Sequence, residues 1–301
     1  MTPATGQPVV VGVDGGSPAL TAVRWAAAEA LRRHAPLELV YAFGVGWDLG
    51  PRLGVFSLHN RTHVDEGRAA LSAAETTALA VAGSHRLDIR TALLAPHPVS
   101  ALERRSAAAR LLVVGTRGMD AVERGLLGSV STALAKRARC PMVVVPEARS
   151  SDPRLPVLVG VDGSRCAAAA VALAFEYASA RNTGVTAVLA WWRDRSASGA
   201  TSSEDAQLLL AQNLAGYAAS HPDVPVTRIV VECDDPGAVL RREAGNAQLL
   251  VVGRRGRRGP SAALALGSVS QSVLHQCGLP VLIAPEPRRP AAARRWCGRG
   301  G

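Results

Sequence analysis

Aromatic residues and lysine are both scarce in this chain of 301 residues. Phe, Trp and Tyr together make up 4% of the sequence, and Lys136 is the only lysine. A core with few large rings must be filled by Ala, Val and Leu, which suits helices packed closely on a sheet. A P-loop nucleotide site needs a lysine directly after its glycine-rich loop, and Lys136 follows no such loop. The sequence therefore excludes the P-loop class.

Paired cysteines and long apolar runs are also missing. The five cysteines have irregular spacing and include no Cys-x-x-Cys pair, so neither a disulfide framework nor a zinc site is indicated. No apolar run reaches the roughly 18 residues of a membrane span, and the first residues lack the pattern of a secretory signal. We therefore expect a cytoplasmic protein with no membrane partner.

Positive charge is in excess, with a formal net charge of +10. Residues 288–301 hold five arginines and no acidic residue. Because this segment has little to bury, we expect a basic, disordered tail. Such a tail binds acidic partners without specificity, so no specific nucleic-acid partner is predicted.

The most informative feature that is present is a repeat. The segment VVVGVDGG at 9–16 returns as VLVGVDGS at 157–164, and LLVVGTRG at 111–118 returns as LLVVGRRG at 249–256. LGSVS also occurs twice, once before each of two predicted helices. A repeat this long indicates two similar domains rather than a solenoid of short units. We place the domains at 1–148 and 155–287.

Each copy alternates apolar, β-branched runs with segments of helical periodicity. Continuous apolar runs are typical of strands buried on both faces of a parallel sheet. The alternation predicts right-handed βαβ units. The expected fold class is α/β, with two doubly wound parallel five-stranded sheets flanked by helices, as a tandem repeat. Residues 44–63 are expected to form a long loop.

Each copy also carries the elements of a nucleotide site. Asp14 directly follows the first strand, and Gly115 follows the fourth. In a doubly wound sheet, ligands bind beyond the carboxyl ends of the strands where the strand order reverses. Gly115 and Gly118 would let the backbone approach a phosphate and adopt a positive φ. Gly128 and Ser129 open a helix whose N–H groups favour an anion, and the Asp14 carboxylate can accept hydrogen bonds from a nucleoside.

Each element taken alone also has an ordinary structural explanation. An Asp after a strand is often a turn former or helix cap, and a glycine loop is often only a turn. The dinucleotide fingerprint is absent after both first strands. His59 and His63 have the spacing of a helical metal site but no third ligand, so no metal site is predicted. For Trp191 and Trp192, packing at a domain or dimer surface is favoured over stacking on a base.

The glycine spacing resembles the signature of the universal stress protein family. That signature is Gly, two residues, Gly, nine residues, Gly, then Ser or Thr, and it is matched by Gly115, Gly118 and Gly128-Ser129. The resemblance covers residues 7–147 and 155–287. It implies an adenine nucleotide alpha hydrolase-like fold in the tandem form and ATP as the ligand, with the presence of Mg²⁺ left open.

The resemblance also implies which residues contact ATP. In the first copy these are Gly12, Asp14, Ala42, Gly115, Thr116, Arg117, Gly118, Gly128, Ser129, Val130 and Ser131. In the second copy they are Gly160, Asp162, Ala190, Gly253, Arg254, Arg255, Gly256, Gly267, Ser268, Val269 and Ser270. The second loop has ten residues between Gly256 and Gly267 instead of nine. The extra residue can be absorbed as a bulge or can spoil the site.

Two classes of function are open at this point. The favoured one is an ATP-binding module of the stress response that acts through nucleotide occupancy, with no catalytic residue. The alternative is a slow ATPase or phosphotransfer enzyme that uses the same sites, and for the second copy a vestigial site is a third option. The family often pairs its fifth strands, so we expect an intramolecular pseudo-dimer through strands near 142–145 and 280–284. A homodimer of two chains is a further possibility.

Overall fold

The chain folds into two copies of one β/α unit. The computed structural model describes residues 6–43, 55–95 (side chains from 63), 97–116, 128–147, 152–191, 202–257 and 266–286. The first copy contains β1 (Val9–Val13), α1 (Ser17–Arg32), β2 (Leu37–Ala42), α2 (Val55–Ala82), β3 (Ile89–Leu94), α3 (Pro98–Ser106), β4 (Leu111–Gly115), α4 (Ser129–Arg137) and β5 (Met142–Val145). The second contains β6 (Val157–Gly160), α5 (Arg165–Ser179), β7 (Val185–Trp191), α6 (Ser203–Ser220), β8 (Val226–Glu232), α7 (Pro236–Glu243), β9 (Leu249–Gly253), α8 (Ser268–Gln276) and β10 (Val281–Ala284).

The ten strands in the described ranges form one sheet, in the order β3-β2-β1-β4-β5-β10-β9-β6-β7-β8. All neighbours within each copy are parallel, which confirms the two doubly wound five-stranded units. The two units meet at β5 and β10, which pair antiparallel with Val144 opposite Val281. The expected pairing of the fifth strands is thus confirmed, and it covers an edge that each unit would otherwise expose.

Small side chains bring the helices close to the sheet. Ala22, Ala26 and Ala30 on α1 are fully buried, as are Val9 and Val10 on the two faces of β1. Consecutive strand residues point to opposite faces, so burial of both shows that helices cover the sheet on each side. None of the helices in the described ranges is long and apolar enough to cross a membrane.

Two sequence-based expectations about loops and surfaces are wrong. Helix α2 begins at Val55, so residues 55–63 are helical and do not belong to a loop. The glycines before Val55 suggested a loop, but 55–63 contains neither Gly nor Pro and nothing in it stops the helix. Trp191 is 2% exposed and lies in the core instead of at a surface. Trp192 and the tail 288–301 lie outside the described residues.

An ion cluster joins the two copies on one face of the sheet. Glu29 on α1 is fully buried and accepts hydrogen bonds from Arg33, from Arg181 at 2.6 Å and from Arg32 at 3.4 Å. The Arg33 and Arg181 guanidinium groups also lie 4.2 and 4.8 Å from the ring centroid of Tyr177 on α5. We call Glu29, Arg33, Tyr177 and Arg181 the interhelical cluster. It ties α1 to α5 by charge and by cation–π contact.

The interhelical cluster breaks the symmetry between the copies. Glu29 and Tyr177 occupy equivalent positions of α1 and α5, and so do Arg33 and Arg181. Two equivalent arginines therefore share one carboxylate and one ring. Two carboxylates would repel each other here, and two rings would leave Arg33 with the half-buried Glu176 as its counter-ion and Arg181 without this carboxylate. The cluster therefore fits a pairing of unlike copies.

The arginines control the ionisation of Glu29. Burial by itself raises the pKa of this carboxyl, but the positive charges of Arg181, Arg33 and Arg32 outweigh burial and bring the pKa below its ordinary value of 4.5. A lowered pKa in the folded state means that Glu29 stabilises the fold above its unfolded-state pKa. This contribution is lost as the pH falls through the folded-state pKa.

We predict that Glu29→Gln lowers the free energy of unfolding at pH 7 by about 3–5 kcal/mol, because two buried arginines lose their only shared carboxylate. Urea unfolding monitored by circular dichroism measures this loss. The difference from the wild type should shrink as the pH is lowered below 4.5, where the wild-type carboxyl protonates. Asp88→Asn is the control, since its pair with Arg90 is exposed and should contribute less than about 1 kcal/mol. Equal losses for both variants would contradict the prediction.

We also predict that exchanging the two unlike residues restores stability. Glu29→Tyr and Tyr177→Glu should each destabilise the protein. The double variant places the tyrosine on α1 and the glutamate on α5, so the same kinds of contact can form from the opposite helices. Its free energy of unfolding should therefore fall by less than the sum of the two single losses. Urea unfolding of the four proteins gives this coupling energy. Additive losses would show that the positions do not act as an exchangeable pair.

Candidate functional site

The carboxyl ends of β1 and β4 lie side by side in the first copy. β1 pairs with β2 on one side and with β4 on the other, where Val11 lies opposite Val113. The strand order therefore reverses between these strands, as it does at ligand sites of doubly wound sheets. Asp14 and Gly115, which follow β1 and end β4, line one cavity of about 140 Å³. The expectation that they face one crevice is confirmed.

Most residues predicted for the first site line this cavity. They are Gly12, Asp14, Ala42, Gly115, Thr116, Gly128, Ser129, Val130 and Ser131. Arg117 and Gly118 lie outside the described residues. The sequence did not reveal an apolar wall that includes Val40, Pro98 and Leu102. The start of α3 just beyond β3 could have pointed to Pro98 and Leu102, because that helix begins at the same edge of the sheet.

Asp14 shapes a turn and also faces the cavity. Its Oδ1 accepts a hydrogen bond from the Gly16 N–H at 2.9 Å, and Gly15 adopts a φ of +87° that favours glycine. Burial and the negative charges of Glu66 and Asp14 together raise the pKa of Tyr41. Asp14 is the only carboxylate among the described residues that line the cavity, so its part of the lining is negatively charged. This part suits a nucleoside better than a phosphate.

The opposite side of the cavity is the N-terminus of α4. Gly128 precedes this helix and gives it no side-chain cap, so the N–H groups of its first turn have no capping partner from that residue. These N–H groups and the helix dipole favour an anion. The Ser131 hydroxyl donates to the Gly115 carbonyl at 3.2 Å. Ser131 thereby fixes the helix to the end of β4.

Thr116 offers an unused hydroxyl in the same cavity. Its backbone N–H donates to the Val145 carbonyl at 3.1 Å, and the residue is only 7% exposed. The Thr116 Oγ1 atom has no hydrogen-bond partner among the described residues. A buried hydroxyl without a partner costs free energy. A ligand in the cavity would supply that partner.

Gly115 also has a packing role that the sequence did not predict. Its φ is not positive, and a Cβ at this position would lie 2.5 Å from the Pro18 carbonyl oxygen at the start of α1. In the second copy, a Cβ on Gly253 would lie 2.8 Å from Cys166 at the start of α5. Both glycines therefore allow a helix to approach the end of a strand. A positive φ at this edge of the sheet is found at Gly15 in the Asp14 turn, and Gly118 lies outside the described residues.

The second copy has the same framework. β6 pairs with β7 and β9 in the register that β1 has with β2 and β4, so Ala190 is the equivalent of Ala42. The other predicted residues at matching positions are Gly160, Asp162, Gly253, Gly256, Gly267, Ser268, Val269 and Ser270. Ser270 donates to the Gly253 carbonyl at 2.7 Å, as Ser131 does to Gly115.

The second loop makes contacts of its own with Asp162. The Asp162 Oδ1 accepts from the Ser164 N–H at 2.9 Å, and its Oδ2 accepts from the Arg257 N–H at 2.9 Å. A Cβ on Gly256 would lie 2.5 Å from the same Oδ2 atom. The loop after β9 therefore rests on the carboxylate that the sequence assigned to a nucleotide.

The two predicted phosphate-binding arginines of this loop have other partners. Arg255 forms an ion pair with Glu286, just after β10. Arg254 extends out of its own copy and donates to the Ala138 carbonyl in the first copy. Burial lowers the pKa of the Arg254 guanidinium. Both side chains are therefore held by other parts of the protein.

Comparison with known proteins agrees with this framework. The sequence model of the universal stress protein family matches residues 6–146 and again residues 154–285. A universal stress protein of Mycobacterium tuberculosis (strain ATCC 25618 / H37Rv) is 39% identical over 289 residues, which cover 92% of this chain and 96% of that protein. Another, from Mycolicibacterium smegmatis, is 37% identical over 298 residues, covering 93% and 97% of the two chains.

A solved structure shows the same fold. The universal stress protein from Archaeoglobus fulgidus DSM 4304 matches with a TM-score of 0.72 and 16% identity, over 93% of this chain and 98% of that chain. Because the family model matches both copies over nearly their full length, the chain belongs to the universal stress protein family.

Proposed function

We propose that the first copy binds ATP in the cavity at the carboxyl ends of β1 and β4, and that the protein is a nucleotide-dependent regulatory module of the stress response. The observation that carries this proposal is the joining of three groups in one cavity: the Asp14 carboxylate, the unpartnered Thr116 hydroxyl and the N-terminus of α4. A carboxylate suits a nucleoside, and helix N–H groups suit phosphates.

The charge distribution orients the nucleotide in this proposal. Asp14 is the one carboxylate among the described residues that line the cavity, so the uncharged adenosine lies beside it, against Ala42 on β2. The phosphates lie against Gly128 and Ser129, where the dipole of α4 is positive. The described residues include no group of three or more His, Cys, Asp or Glu side chains suited to a metal. Magnesium that accompanies ATP binds mainly through the phosphates and one or two carboxylates, so Mg²⁺ stays a prediction.

Binding without turnover fits the residues better than hydrolysis. Asp14 is the only carboxylate among the described residues that line the cavity, and it lies on the nucleoside side. A general base must reach the attacking water beside the phosphates. ATP recovered intact after hours on the protein would support the binding module, and its conversion to ADP would favour the slow ATPase.

The second copy is expected to bind more weakly than the first. Its Asp162 already accepts two backbone hydrogen bonds, one of them from the loop that would have to hold the phosphates. We therefore propose about one ATP per chain.

The domain limits at 1–148 and 155–287, the cytoplasmic location and the association of two chains into a homodimer stay predictions.

We predict that Asp14→Asn weakens ATP binding about tenfold, because the amide loses the charge of an acceptor that faces the nucleoside. Isothermal titration calorimetry measures the dissociation constant and the number of sites, and the nucleotide released from the denatured protein gives the occupancy after purification. Asp162→Asn is the matched control and should leave the affinity unchanged. Two ATP per chain, or an equal loss in both variants, would contradict a single working site.

We predict that Thr116→Val lowers the affinity for ATP about fivefold while the ligand-free protein keeps its stability. Valine has the shape of threonine and removes only a hydroxyl that has no partner among the described residues, so about 1 kcal/mol is lost on binding alone. Ser131→Ala should behave differently, because it removes a hydrogen bond to Gly115 and should destabilise the ligand-free protein. Calorimetry and urea unfolding separate these effects, and an unchanged affinity in Thr116→Val would contradict the role of Thr116.

A further inference from the structure

One hydrogen bond connects the loop of the second copy to the candidate site of the first. Arg254 directly follows β9, and its Nη2 atom donates to the carbonyl of Ala138, the residue that caps the C-terminus of α4. The backbone of Arg254 is fixed at both ends, because its N–H donates to Ala284 at 3.0 Å and its carbonyl accepts from Gly267 at 3.0 Å. The side chain therefore projects across the antiparallel junction of β5 and β10 from a firmly held position.

The helix that receives this contact is the one that faces the cavity. Its first residues, Ser129 and Val130, line the cavity, and Ala138 lies at its opposite end. The last carbonyls of a helix lack intrahelical partners and carry a partial negative charge. A cation at that end and an anion at the N-terminus both complement the same dipole. Arg254 thus contacts α4 at the end opposite to the proposed phosphate position.

The charge of Arg254 is directed at this helix end. Among the described residues no carboxylate forms an ion pair with Arg254, and its Nε atom has no hydrogen-bond partner. Lys136 and Arg137 also lie in the last turn of α4. Arg137 is exposed, and its Nη1 atom lies 3.9 Å from the Glu103 Oε2 atom. Arg254 is the cation that this end of the helix receives from the other copy.

The contact runs in one direction only. The position equivalent to Arg254 in the first copy is Thr116, whose hydroxyl has no partner in the described part of the chain. The position equivalent to Ala138 is Cys277, which caps α8. The first copy therefore makes no matching contact to α8 from Thr116. The second copy supports the first site, and the first copy does not support the second in this way.

We propose that Arg254 is a positioning residue for the nucleotide bound in the first copy, holding α4 so that its N-terminus faces the phosphates. This inference rests on the proposed function. It replaces the predicted role of Arg254 as a phosphate ligand of the second copy. It also makes the phosphate affinity of one copy depend on a side chain of the other.

The test compares ATP with adenosine in the full-length protein. Arg254→Ala should weaken ATP binding about fivefold and leave adenosine binding unchanged, because the loss acts only through the phosphate end of α4. Arg254→Lys keeps the charge and should recover part of the ATP affinity. Arg255→Ala is the matched control, since Arg255 is the next residue and pairs with Glu286 within its own copy. It should change neither affinity.

Calorimetry with each ligand, together with the melting temperature of each variant, separates the outcomes. Equal losses for ATP and adenosine would show a general structural role and overturn the positioning role, as would an unchanged ATP affinity in Arg254→Ala. Loss of a second ATP per chain with the first unaffected would restore Arg254 as a phosphate ligand of its own copy. A wild-type protein that binds neither ligand would overturn the proposed function and this inference with it. If Arg254→Ala does not fold, the ratio of the ATP affinity to the adenosine affinity is compared between Arg254→Lys and Arg255→Ala. A lower ratio in Arg254→Lys supports the positioning role, and equal ratios overturn it.

Discussion

The antiparallel pairing of β5 with β10 is the interaction on which the arrangement of the whole molecule depends. Each copy ends in a short, fully buried strand of four apolar residues. Such a strand cannot remain an open edge without exposing backbone N–H and C=O groups. Pairing the two edges satisfies those groups and forms one ten-stranded sheet. The interhelical cluster and the Arg254 contact both depend on this junction, because each joins residues from opposite sides of it.

Duplication has kept the framework and changed the residues that meet at the junction. Glu29 and Tyr177 occupy equivalent positions, as do Thr116 and Arg254, while the strand register is the same in both copies. The unlike residues create contacts that a symmetric pair could not make. Two arginines share one buried carboxylate, and one loop supports the helix of the other copy. The two copies therefore have different physical roles, and the proposed function assigns the nucleotide to the first.

The sequence predicted the strands, helices and switch point well because these follow from patterns of residues that are close together in the chain. Continuous apolar strands such as Val9–Val13 and the small residues of α1 specify parallel strands covered by helices, and the repeated Asp and Gly positions locate the switch point. The sequence could not predict where long side chains go. The resemblance implied that Arg254 contacts ATP, yet its long side chain reaches the Ala138 carbonyl in the other copy.

Other differences have equally specific causes. Gly115 lines the cavity, and the carbonyl of Pro18 also requires a residue without a Cβ there. That requirement comes from the packing of α1 on β4, which no local pattern reveals. The apolar wall at Val40 and Leu102 was missed because it is assembled from elements far apart in the chain. Arg117 and Gly118 were predicted from spacing, and they stay predictions.

Hydrogen exchange measured by mass spectrometry, with and without ATP, tests the central claim most directly, because it reports on both copies in one experiment. The account predicts that ATP slows exchange in peptides covering residues 12–16 and 128–134, at the ends of β1 and the start of α4. Peptides covering 160–164 and 267–273 should change little. Protection of the second set without the first, or no protection in either, would contradict an ATP site in the first copy.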